Sequence, residues 1–140
     1  MRMFFKKHWR KVALAVFSLP LIGYLVLCAL IGLGVRNAVS DAQDRFPGDP
    51  VSALVSVATS TEAGLSERNR SIWALGQLGS PDALPALQSL VTGEPCDHET
   101  KICQHEVEKA IEGCSGSYNM GAVIWRHGDL AVTQAEPGEN

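Results

Sequence analysis

From Val12 to Val35 the chain carries no charged side chain. Coiled as an α-helix at about 1.5 Å per residue, that run is longer than the roughly 30 Å hydrocarbon core of a bilayer. It predicts a transmembrane helix over 12–35, with slack for tilt. Pro20 is expected to kink it, and Gly23, Gly32 and Gly34 to loosen it, which neighbouring groups in a membrane tolerate. Phe4, Phe5, Trp9 and Tyr24 suit interfacial or lipid-facing positions. A secretory signal peptide is the competing reading, because Ala38-Val39-Ser40 is an acceptable small-residue cleavage site. The length of the apolar run, with Arg36 directly behind it, favours an uncleaved anchor. Cys28 follows Leu25-Val26-Leu27. Leu27 stands where a lipoprotein site needs a small residue, so Cys28 is expected to be a small membrane-buried side chain.

Charge is unevenly divided around that run. The first eleven residues hold Arg2, Lys6, Lys7, Arg10 and Lys11, five of the twelve basic side chains, and none of the fifteen acidic ones. The rest of the chain therefore sets seven basic residues against fifteen acidic ones, a balance of −8. A basic segment ahead of a membrane helix predicts a cytoplasmic N-terminus and a C-terminal part on the far side, in the periplasm if the cell is Gram-negative. An acidic aqueous part offers no basic stripe to phosphates, which excludes nucleic acid as the expected partner. About a hundred residues remain for that part, one small domain with a thin core.

Its most legible stretch runs from Arg68 to Val91. Ile72, Leu75 and Leu78 recur at three-residue spacing beside Ala74, the apolar stripe of a helix. Gly79 offers a left-handed stop. Ser80-Pro81-Asp82 restarts the chain, with Ser80 or Asp82 as the cap; Asp82 is favoured because it leaves Pro85 in the first turn. Leu84, Leu87, Leu90 and Val91 make a second stripe, ended by Gly93 and Pro95. One such hairpin cannot bury both stripes alone. Asp49 to Val57 overlays Asp82 to Leu90 at an offset of 33, with Asp, Ala, Leu and Ser recurring in place. Val107, Ala110 and Ile111 echo Ser71, Ala74 and Leu75 at an offset of 36, the extra residues falling in the loop around Cys96.

With the ordered set Arg68, Ser71, Ala74-Leu75-Gly76, Leu78-Gly79, Pro81, Ala83-Leu84-Pro85 and Leu87, residues 49–114 resemble the HEAT repeat, in the short form named from phycobilisome lyases. The resemblance is complete in one repeat and degenerate in its neighbours. It implies an all-α fold: a short HEAT-like α-α solenoid of about two repeats over 49–114. Around it stand the basic segment 1–11, the transmembrane helix 12–35, a juxtamembrane helix or linker 36–48, and a tail or hairpin over 115–140. Ala38, Val39 and Ala42 are expected to pack as a partial first repeat helix, stopped at Phe46-Pro47-Gly48-Asp49-Pro50. Ser66 is a candidate cap before Asn69, Lys101 to Gly113 a last helix, and Ala122-Val123-Ile124-Trp125 with Leu130 to Thr133 the arms of a β-hairpin or a docking tail. HEAT-like arrays work as binding scaffolds lined by the second helix of each hairpin. Carried over, this places Ser52, Ser56, Gln88 and Ser89 on a partner-binding face.

Candidate chemistry is sparse. Cys96, His98, Cys103 and His105 suggest zinc, but residues two apart on a helix point to different faces, and metal ligands must converge. No metal or cofactor is expected. Arg68 and Arg70 are expected to pair with Glu67 or Asp82, and Trp73 to pack between repeats. Outside the cytoplasm, cysteines meet oxidising conditions. Cys103 and Cys114 lie roughly 16 Å apart along one helix, too far for a bridge, and Cys96 to Cys114 fails likewise. Cys96 with Cys103 is the expected disulfide; three reduced cysteines is the alternative, and applies if the topology is reversed.

The function expected is non-catalytic: a membrane-anchored repeat module on the extracytoplasmic side of a bacterial inner membrane, presenting a surface to another protein. A second copy of the chain is one candidate partner. Two alternatives stand beside it. One is a small subunit of a membrane complex held through its transmembrane helix. The other is a bilin-lyase-like enzyme, for which the array is too short to wrap a tetrapyrrole.

Overall fold

The computed structural model describes residues 2–95, 97, 99–117, 119 and 121–123, with side chains for Trp9 and from Val16 onward. Five α-helices come in succession: α1 (Arg2–Arg45), α2 (Pro50–Thr59), α3 (Leu65–Leu78), α4 (Leu84–Ser89) and α5 (Gln104–Cys114). A 3-10 turn, Pro81–Ala83, leads into α4. The described residues contain no strand, and 121–123 form a single helical turn. Ala122 and Val123 are therefore not strand residues; both amides donate to the Asn119 carbonyl. The other arm of the expected hairpin lies outside the described residues.

α1 is one continuous helix through Pro20 and past Arg36. Its window from Val16 is long and apolar enough to cross a membrane, and little of that window is buried in the protein. Its last turns belong to the domain: Val35, Ala38, Val39 and Ala42 enter the same core as Ile72, Leu75 and Leu87. The juxtamembrane stretch is thus helix as far as Arg45, and the stop at Phe46 to Asp49 falls where expected.

A single register runs through the first helices of the stack. Val35, Ser71 and Val107 are spaced by 36 residues, as are Ala38, Ala74 and Ala110, then Val39, Leu75 and Ile111, then Ala42, Leu78 and Cys114. All are buried except Ile111, which packs partly buried against the core. The end of α1, α3 and α5 are therefore three copies of one helix. α2 and α4 are two copies of its partner, with Leu54 and Leu87 fully buried at matched positions.

Local capping explains the breaks. Asp49 accepts from the Ser52 amide at 3.0 Å and starts α2, with Pro50 in the first turn. α3 begins at Leu65, not after Ser66: its cap position is Gly64, whose amide donates to the Glu67 carboxylate at 3.1 Å. Gly79 ends α3 in the left-handed region at φ 65°, its amide bonding the Leu75 carbonyl. Ser80, not Asp82, caps the 3-10 turn, accepting from the Asp82 amide. α4 is shorter than its stripe predicts. It closes at Ser89, leaving Leu90 partly buried and Val91 exposed outside the helix. The last helix starts at Gln104, three residues later than expected.

Candidate functional site

Two ion pairs join α1 to α3. Arg45 meets Glu67 at 2.8 Å and Arg70 meets Asp41 at 2.9 Å. They replace the expected pairing of Arg68 or Arg70 with Glu67 or Asp82. Arg68 instead donates from Nε to the Ala58 carbonyl at 3.0 Å, tying α3 to the end of α2. Between α1, α2 and α3 these charges rim a hollow of about 230 Å³. Its floor is Ala38, Ala42, Val57 and Ser71, and its rim carries Asp41, Asp44, Arg45, Glu67 and Arg70. The rim sets three acids, Asp41, Asp44 and Glu67, against two arginines, and Asp41 and Glu67 are the ones paired with them.

The expected partner face lies on α2 and α4. Ser52, Gln88 and Ser89 are exposed and Ser56 is half-buried. Ser52 and Ser56, four apart, share one side of α2. The three hydroxyls are engaged locally: Ser52 with Asp49, Ser56 with the Ser52 carbonyl, Ser89 with the Ala86 carbonyl. They shape the surface more than they offer polar contacts. Ser89 also borders a hollow of about 310 Å³ under the loop that joins α4 to α5, with Arg68, Thr92, Glu94 and Lys101.

That loop is held by buried Gln104, a residue sequence reasoning passed over. Its side chain accepts from the Thr92 amide at 2.8 Å and donates to the Leu90 carbonyl at 3.2 Å. Asn69 of α3 accepts from the Cys103 amide at 3.0 Å, tying the residue just ahead of α5 to α3. Lys101 and Glu94 pair at 2.6 Å, which raises the lysine pKa. Asp97 is held below its ordinary value first by the Thr100 hydroxyl, then by the Glu99 and Thr100 amides. Cys103 is buried and His105, two positions on, exposed, so the two diverge. Cys96 and His98 lie outside the described residues. So does the expected Cys96–Cys103 bridge, and among the described residues no disulfide is present. No three metal-ligating side chains cluster among them either.

Across the stack the helices approach through small residues. A Cβ on Gly113 of α5 would stand 2.5 Å from the Gly76 carbonyl oxygen of α3, and one on Gly76 would stand 2.8 Å from the Ala110 backbone. The Trp73 ring lies against Gly34 of α1, 3.2 Å from where a Cβ would be. Trp73 does pack between successive first helices, at the end of the α1–α3 contact nearer the apolar stretch of α1. It also lines a third hollow of about 270 Å³ with Gln77, Lys109 and Asn119.

Residues 67–92, which are most of α3, its turn and α4, match the family model of the PBS lyase HEAT-like repeat. The chain carries a HEAT-like repeat. No curated protein matches the chain, and no solved structure does. The matched HEAT-like unit is the middle of the stack, flanked by the α1–α2 pair on one side and by α5 on the other. HEAT-like repeats generally mediate protein contacts.

Proposed function

We propose that this chain is a membrane-anchored protein-interaction module, without catalytic activity of its own, whose HEAT-like stack stands on the extracytoplasmic side of a bacterial inner membrane. The observation that carries the reading is the double role of α1. Its apolar stretch is long enough to cross a bilayer, and its end is the first helix of the stack. The module is therefore not tethered by a flexible linker; it is held at a set angle to the helix axis. Cleavage at Ala38-Val39-Ser40 would cut through packed helix and strip Val35, Ala38 and Val39 from the core, which favours an uncleaved anchor. The five basic residues ahead of the span favour a cytoplasmic N-terminus. In that orientation the α4–α5 loop meets oxidising conditions, which supports a bridge between Cys96 and Cys103.

A second reading has its own observation. Large exposed apolar side chains crowd α1 from Val16 to Leu33. A larger membrane assembly would cover such a surface, and the chain would then be a small subunit held through that helix. Crosslinking pull-down from the native membrane separates the two. Loss of the partner on Gln88→Arg together with Ser52→Arg, with membrane insertion intact, supports the module reading. Retention of the same partner by a variant ending at Phe46 would overturn it in favour of the subunit reading.

A further inference from the structure

At the height where α1 leaves its apolar stretch, lipid and domain meet the helix together. Leu27, Leu30 and Leu33 remain exposed at 56%, 59% and 45%. Cys28, Gly32 and Val35, interleaved with them on the other side, are buried by the domain. The turn 121–123 lies against Cys28: a Cβ on Gly121 would stand 3.5 Å from Cys28 Sγ and 3.8 Å from Tyr24 Oη. If hydrocarbon begins after Lys11 and needs about 20 helical residues, its far edge falls near Ile31. Cys28 then lies about 4–5 Å inside that edge and Tyr24 roughly 10 Å inside, at 1.5 Å per residue. The turn therefore reaches below the level of the bilayer surface.

We propose that the turn 121–123 is a second membrane contact, a short segment that enters the outer leaflet beside α1 and seats the domain on the lipid. The proposal rests on the reading of α1 as a membrane anchor. Its chemistry fits a lipid surface. Ala122 is buried against the core while Val123 is exposed, so the turn has a protein side and an apolar outward side. Backbone at membrane depth must satisfy itself. Here the Ala122 and Val123 amides donate to the Asn119 carbonyl at 3.1 and 3.3 Å, and Asn119 Nδ2 donates to Gln77 Oε1 at 3.3 Å, anchoring the polar end to α3. Trp73, packed on Gly34 a few residues above the hydrocarbon edge, sits at the level where interfacial aromatics gather. The chain continues Ile124-Trp125-Arg126, again apolar and then interfacial in type.

Photolabelling tests this on the full chain, without substitutions. The protein is reconstituted in phosphatidylcholine vesicles doped with a phosphatidylcholine bearing an acyl-chain diazirine, irradiated, and the adducts located by tryptic mass spectrometry. Residues 119–123 should carry adducts at least about tenfold above peptide 46–68, since acyl-chain probes reach only groups at membrane depth. Phe17 and Leu19 on α1 should be labelled as well. Label on Phe17 with residues 119–123 at the level of 46–68 would overturn the second contact and leave the anchor standing. Label on Phe17 but none on Leu27 and Leu30 would show protein covering the helix at that height, and would also overturn it. No label on α1 at all would overturn the anchor reading itself.

Discussion

Gly76 and Gly113 are the residues on which the α3–α5 crossing depends, and neither belongs to an apolar stripe. Because a Cβ on Gly113 would meet a backbone oxygen rather than a flexible side chain, Gly113→Ala should destabilise the domain by about 1–3 kcal/mol through overpacking. Gly23→Ala, with nothing within 4 Å of its Cβ, is the control and should leave the denaturation midpoint unchanged. Leu87 is fully buried at the middle of the stack, and Leu87→Ala should cost on the order of 2–5 kcal/mol by denaturant titration. Asp97 makes a pH prediction. Its folded pKa lies below its ordinary 3.8, so its bonds to Thr100 and Glu99 contribute stability above that value and lose it as pH falls through the folded pKa. The protection of the Glu99 and Thr100 amides, measured against intrinsic exchange at each pH, should fall as pH drops through the folded pKa, ahead of global unfolding.

Among the elements, α1 decides what can be cut away. A fragment starting at Pro47 lacks Val35, Ala38, Val39, Ala42 and Phe46, together with both ion pairs to α3. The ion pairs are half exposed and should contribute little, about 0–1 kcal/mol each. The apolar side chains matter more, since burying one valine contributes roughly 1.5–3 kcal/mol. Residues 34–140 should therefore unfold cooperatively in denaturant while residues 47–140 are marginal or associate. A monomeric, cooperative 47–140 fragment of equal stability would show that the first helix of the stack is dispensable. The α4–α5 loop carries a second expectation. The Glu94–Lys101 pair folds that loop back on itself on either side of Cys96, bringing its two ends together. An unreduced, alkylated digest of protein from its native membrane should contain a Cys96–Cys103 linked peptide. Recovery of both as alkylated thiols would remove the bridge, and with it one support for an oxidising compartment.

At the scale of the molecule, one continuous helix joins the apolar stretch, long enough to span a bilayer, to the repeat stack. Orientation then becomes a property of the whole chain. A reporter active only outside the cytoplasm, fused after Asn140, should be active, because the basic side chains ahead of the span favour the cytoplasm. Silence there, with a cytoplasmic reporter active at the same position, would reverse the topology. It would also make reduced cysteines the expected state.

Amino-acid order alone determined the features that depend on local pattern: the apolar span, the breaks at Phe46 to Pro50 and at Gly79, and the stripe Ile72, Leu75, Leu78. These arise from composition and from the steric demands of Gly and Pro, which act over a few residues. Local pattern also marked Ala38, Val39 and Ala42 as a helix face with a use beyond the membrane. Tertiary packing decided the features that depend on which surfaces meet. The 36-residue register into α1 was hidden because its α1 copy starts inside the uncharged apolar run, and because Ser71 stands buried where Val35 and Val107 are valine. The partners of Arg45, Arg70 and Asn69 lie on helices distant in sequence, and charge alone does not choose among several acids. Ser80 prevailed over Asp82 as the cap because the chain enters α4 through a 3-10 turn. Gly76 and Gly113 look like weak points in a helix until the neighbour is in place. Then the absence of a side chain is what lets the two backbones touch.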